Sequence, residues 1–136
     1  MSIEENKALT LRIYELSSQK DMTALFKLYD PNYIEHTRNG DYDLKQLKKT
    51  TSLFFTAFPD SNFIVENMVA EKDKVAYQAT IEGTHNGLFM GIAPTGKKIE
   101  MMNTSIKRII NGKLVESWGT MDTLSVMQQL GITPKP

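Results

Sequence analysis

Acid/base chemistry near neutral pH needs a carboxylate or an imidazole held where its proton affinity can be tuned. The chain has two histidines, His36 and His85. His36 ends a short run, Tyr33 to Thr37, and His85 follows Glu82-Gly83-Thr84 to open a glycine-rich segment that continues to Gly96. Either can act on a substrate, and either can equally be a hydrogen-bonded structural group at a strand end. Asp122 stands between Trp118-Gly119-Thr120-Met121 and Thr123-Leu124-Ser125. At the inner end of a strand such a carboxylate loses hydration, its pKa rises above about 3.9, and it becomes a usable base. Directly before a helix the same residue is a good N-cap, and the two roles can coexist.

Several chemistries are excluded or unsupported. With no cysteine there is no disulfide framework, thiolate metal site, iron–sulfur cluster or cysteine nucleophile. His36, His85 and Asp122 lack any familiar metal-ligand spacing, and neither a Walker loop nor a dinucleotide fingerprint is present. No metal and no cofactor are expected. Lys plus Arg and Asp plus Glu each number 16, so no net field gathers nucleic acid or an anionic membrane. No run of about 18 apolar residues is long enough to span a bilayer. The start, Met1-Ser2-Ile3-Glu4-Glu5-Asn6, is acidic and unlike a secretory signal, so the expectation is a cytoplasmic protein of one domain over residues 1–136.

The elements that must position these groups fall into two halves. Leu9, Ile13 and Leu16 recur at helical spacing over Glu4 to Lys20. Asp21 caps a second short helix predicted to run to Tyr29, before Asp30-Pro31. A short strand, Tyr33 to Thr37, follows. Asp43 with Gln46 three residues on resembles a capping box for a third helix carrying Leu44, Leu47, Leu53, Phe54 and Phe58, ended by Pro59. Beyond Pro59, β-branched and aromatic runs alternate with turn signals. Strands are predicted from Asn62 to Ala70, Val75 to Thr84, Lys98 to Ile110 and Lys113 to Met121, then a helix from Thr123 to Leu130 stopped by Gly131. Helices followed by an antiparallel sheet make an α+β fold, a cone whose helices cover one face of a curved sheet and enclose a pocket.

Asn111-Gly112 is a strong hairpin signal, and a two-residue turn there fixes which side chains share a face. Continuous pairing sets Asp122 opposite Met101, Thr120 opposite Asn103, Trp118 opposite Ser105 and Glu116 opposite Lys107, all on one face. This face is expected to line the pocket, with Trp118, Met101 and Asn103 beside Asp122. Phe54, from the third helix, is expected to reach the same space. The opposite face, with Met102, Ile106, Val115 and Met121, is apolar enough to meet a second copy.

The run Glu82-Gly83-Thr84-His85-Asn86-Gly87, then Phe89-Met90-Gly91-Ile92-Ala93-Pro94-Thr95-Gly96-Lys97-Lys98, then Asn111 to Trp118, Asp122 and Gln128-Gln129-Leu130-Gly131, resembles the SnoaL-like polyketide cyclase (ester cyclase) family. Glu5-Asn6-Lys7 with Tyr14, and Tyr33-Ile34-Glu35-His36, fit the same pattern, so the resemblance covers nearly the whole chain. It implies an NTF2-like cone and a homodimer joined through the outer face of the sheet. It also implies a cofactor-independent intramolecular aldol condensation, and the expectation is a cyclase- or isomerase-type enzyme that performs such a condensation or a proton transfer on a small, largely apolar carbonyl compound. Asp122 would then be the general acid/base, His85 would lie near the substrate and Trp118 would match a pocket aromatic; with them, His36, Met101, Asn103, Phe54 and Tyr14 are expected to line the site. The fold also hosts isomerases, epoxide hydrolases and non-catalytic binders. The epoxide-hydrolase type needs an Asp-Arg-Asp arrangement, and the same-face neighbours of Arg108 along its strand are Ile106 and Ile110. A ligand-binding module without catalysis, with Asp122 only a cap, is the alternative.

Overall fold

The computed structural model describes residues 2–132; Met1 and residues 133–136 lie outside the described region. Local signals set the helices. Helix α1 (Ile3–Ser18) starts at a capping box in which Ser2 and Glu5 satisfy each other's backbone amides. Helix α2 (Met22–Phe26) is capped by Asp21 but stops short of Tyr29. That residue instead begins strand β1 (Tyr29–Thr37), with Pro31 accommodated in an irregular stretch between Tyr29 and Ile34. A further strand, β2 (Gly40–Asp43), turns back on β1 and leads into helix α3 (Leu44–Ala57). The expected Asp43–Gln46 capping box opens α3, with bonds of 2.8 and 2.9 Å.

Strands β3 (Asn62–Glu71), β4 (Lys74–Thr84), β5 (Lys98–Ile110) and β6 (Lys113–Met121) lie close to their predicted bounds, followed by helix α4 (Thr123–Gln129). They join β1 and β2 in one curved, unclosed sheet of order β2-β1-β6-β5-β4-β3. The sheet is not wholly antiparallel, because β1 runs parallel to β6. Such a pair needs a long crossover, here the whole chain between them, and no local signal marks it.

The hairpin corrects the expected register. Asn111 and Gly112 both take positive φ, 51° and 75°, as the tight turn requires. Ile110 then faces Lys113 and Ile109 faces Leu114, as predicted. A bulge follows: Arg108 faces Glu116, Lys107 faces Ser117, Ile106 faces Trp118 and Asn103 faces Met121. One extra residue on β6, around Val115, inverts the face of everything beyond it. Trp118 and Glu116 therefore share the outer face with Ile106 and Arg108, while Ser117, Gly119 and Met121 share the inner face with Lys107, Ser105 and Asn103. Trp118 does not lie beside Met101 and Asn103.

Two apolar clusters fill the space under the helices. One joins Ile13, Tyr14 and Leu16 of α1 to Tyr33, Val75, Tyr77, Ala79, Ile109 and Leu114. The other gathers Ala57, Phe58, Ile81, Ile99, Met101, Val126 and Leu130, with Phe54 and Phe89 against it. Burying each larger apolar side chain stabilises the fold by about 1.5–3 kcal/mol. Helix α4 sits where β6 ends, and there the Gln129 side chain stands in for a strand: it accepts from the Glu100 amide at 2.8 Å and donates to the Glu100 carbonyl at 2.7 Å.

Candidate functional site

The inner face of the sheet is polar where a core would be apolar. Alternation along β5 turns Met101, Asn103, Ser105, Lys107 and Ile109 inward, all buried except half-buried Asn103. Opposite them, α1 presents Tyr14, whose hydroxyl is hydrogen-bonded to that of Tyr77 from β4. The Asn103 amide donates to the Tyr14 hydroxyl at 3.4 Å. Lys107 is 5% exposed; its ammonium donates to the Ser117 hydroxyl at 3.4 Å and lies 5.7 and 5.9 Å from the rings of Tyr77 and Tyr14. Tyr33 donates to Glu35 on β1 at 3.1 Å.

Burial sets the protonation of this cluster. It pushes the Tyr14 phenol well above its ordinary value, reinforced by Tyr77, and pushes Tyr29 up to about 12. Tyr33 is raised too, again chiefly by burial. For Lys107, burial works the other way and favours the neutral amine, but Tyr77, Tyr29 and Glu35 together outweigh it and hold the ammonium above its ordinary value. At neutral pH the phenols are donors and Lys107 is a cation.

Asp122 stands at the rim, one residue past Met121, which pairs with Asn103. Its side chain is exposed, one oxygen accepts the Ser125 amide at 3.0 Å in N-cap geometry, and its own amide donates to the Met102 carbonyl at 3.2 Å. The desolvation expected of an inner strand end is therefore absent here. His85 is fully buried. Its Nδ1 accepts the Thr95 amide at 3.2 Å and lies 3.0 Å from the Thr95 hydroxyl, so the ring proton belongs on Nε2. That nitrogen has no hydrogen-bond partner among the described residues. Phe58 and Phe89 flank the ring, at 5.6 and 6.4 Å between centroids.

The predicted site residues thus separate into groups. Tyr14 and Asn103 meet on the inner face, and Met101 and Phe54 share the apolar cluster beneath it. His36 and Trp118 instead stack on the outer face, 5.2 Å apart and 21° from parallel. There His36 bonds Asp41 through Nδ1 at 2.9 Å and Glu116 through Nε2 at 2.6 Å. Arg108 bridges Glu116 at 3.3 Å and Asp73 at 3.2 Å. Arg108 does hold two carboxylates, across strands where its same-strand neighbours could not reveal them, but on the face away from the helices. An open groove of about 430 Å³ runs between His36, Arg38, Thr104, Ile106, Trp118 and Thr120. Sequence reasoning did not select Tyr77 or Lys107 as site residues. The odd-numbered alternation shared by Met101, Asn103 and Lys107 was the available signal.

Comparison with known proteins decides the family. The family model for SnoaL-like polyketide cyclases matches residues 7–130. The chain belongs to the SnoaL-like polyketide cyclase family. Among solved structures, this SnoaL-like chain is similar to AclR of Streptomyces galilaeus, described as a candidate hydroxylase. Identity is 29% over 98% of this chain and 89% of that one, with a TM-score of 0.92. It is also similar to IdmH of Streptomyces antibioticus, described as a candidate polyketide cyclase, at 26% identity, 93% and 99% coverage and a TM-score of 0.82. A SnoaL-like protein of Jannaschia, 23% identical over 98% and 97% of the two chains with a TM-score of 0.88, shares the NTF2-like fold. No curated protein matches the chain.

Proposed function

We propose that this SnoaL-like protein is an enzyme that performs acid/base chemistry, without a cofactor, on a small and largely apolar carbonyl compound held against the inner face. The supporting observation is the convergence of the Tyr14 hydroxyl and the Asn103 amide one rung inside the rim on which Asp122 stands. Asp122 removes a proton from a CH2 group between carbonyls. The enolate oxygen takes hydrogen bonds from Tyr14 and Asn103, which favour the developing charge. The enolate carbon then attacks a second carbonyl of the same molecule, forming the C–C bond of an aldol, and protonated Asp122 returns its proton to the new alkoxide. Phe54 and Met101 supply apolar contact, with His85 at the apolar end through its unpartnered Nε2–H. The assembly is read as a homodimer formed through the outer face.

Asp122→Asn tests the reading cleanly, because Asn caps a helix about as well as Asp. Turnover of a β-dicarbonyl substrate should fall at least about a hundredfold with the thermal midpoint unmoved. Unchanged turnover would remove Asp122 from the chemistry. One observation favours a second reading, a binding module: the Asp122 carboxylate is exposed and already caps α4. In that case, ligands bind and no variant changes any reaction.

A further inference from the structure

Lys107 is the group that neither the fold nor the proposed reaction uses. A buried ammonium ordinarily takes a carboxylate partner, because an isolated buried ion is costly. Among the described residues none forms an ion pair with it. Its immediate neighbours are the Ser117 hydroxyl and the rings of Tyr14 and Tyr77. Glu35 faces the same interior from β1; its carboxylate accepts the Tyr33 hydroxyl and favours the ammonium from a distance, without forming an ion pair with it. From the cation the polar chain runs through Tyr77 to Tyr14 and ends at half-buried Asn103, beside exposed Met121.

We propose that the inner face binds its ligand as an oxyanion, with Lys107 supplying the charge through the Tyr77–Tyr14 pair and with Tyr14 and Asn103 touching the anionic oxygen. The substrate class is then an acidic carbonyl compound, a β-dicarbonyl or an enolised cyclic ketone, rather than a simple ketone. Neutral phenols in contact with a fixed cation polarise toward an anion, and a site shielded from water strengthens that attraction. Burial keeps Tyr14, Tyr29 and Tyr33 protonated, so none of them supplies a competing negative charge. This inference rests on reading the inner face as the binding site and not on turnover.

Dimedone, a cyclic β-diketone that ionises readily, and dimethylcyclohexanone, a similar ring with one carbonyl, are the probes. The wild-type protein should bind dimedone about tenfold or more tightly, and the ultraviolet band of bound dimedone should show the enolate with its ionisation midpoint lowered. Lys107→Met should abolish the preference and return the midpoint to the free value, while Tyr14→Phe should weaken dimedone with the residual preference retained. Should Lys107→Met fail to fold, the midpoint shift on the wild-type protein decides alone. Equal affinities, an unshifted midpoint, or no binding of either probe overturns the proposal. Anion preference with no turnover by any β-dicarbonyl sinks the enzyme reading and leaves this one standing; turnover without preference does the reverse.

Discussion

His36 shows what a single misplaced rung conceals. Its ring bonds Glu116 and Asp41 and stacks on Trp118, and it is hydrogen bonding to Glu116 first, then to Asp41, that raises its pKa above the ordinary value of about 6.5. A group whose pKa is higher in the folded state contributes stability that is fully present below the unfolded value and is lost as pH rises through the folded one. Thermal midpoints should therefore decline from about pH 6.5 upward across the His36 titration, and His36→Gln should remove that component of the slope. A histidine resonance titrating at or below the ordinary value would contradict this. The pairing could not be read from the chain, because Glu116 was expected opposite Lys107, near the turn. The bulge at Val115 moves Glu116 to the outer face and leaves Lys107 buried inside. Asp122, by contrast, was legible as a cap because its partner, Ser125, lies three residues away.

At the scale of elements, local chemistry was readable and non-local pairing was not. The Asp43–Gln46 box, the Asn111-Gly112 turn and Gly131, with φ 82°, all lie where short-range rules place them. The parallel β1–β6 ladder and strand β2 escaped those rules, since their partners are distant or, for β2, only four residues are paired. The loop from His85 to Lys97 is an intermediate case. Its glycines announce a loop, yet only the structure shows one of them crossing the end of α3, where the amides of Asn86 and Gly87 donate to the Ala57 carbonyl at 3.0 and 3.1 Å. A Cβ on Gly87 would stand 2.4 Å from the Thr56 carbonyl oxygen, a backbone atom with little room to yield. Gly87→Ala should thus cost about 1–3 kcal/mol in chemical denaturation and shift the ring signals of His85, which the same loop holds through Thr95. An unchanged midpoint would show that the loop clears the helix by moving freely.

For the molecule as a whole, the outer face of the sheet is the surface left to explain. Ile64, Val69, Met102, Ile106 and Ile110 are each at least 38% exposed there, and the strand registers put them on the side opposite the helices. The same face carries both signs of charge at each end, with Lys74 and Arg108 beside Glu71 and Glu116 near the hairpin and Lys98 beside Glu82 and Glu100 toward the other. A second copy turned by a twofold axis would cover the apolar centre with its own and leave the mixed charges at the rim, as an isologous interface requires. Met121, expected on this face, is on the inner side because of the bulge, so the apolar patch centres on Ile106 instead. Ile106 is 41% exposed, and a charge there can remain hydrated in a monomer but would have to be buried in a dimer formed through this face. Ile106→Glu should therefore convert a dimer to a monomer in sedimentation velocity while the thermal transition stays cooperative. Dimedone binding should survive, because Ile106 points away from Tyr14 and Asn103. A wild-type chain that sediments as a monomer at all concentrations would remove the dimer altogether, and a variant that remains dimeric would put the interface elsewhere; either would leave the outer groove beside Trp118 open to another partner.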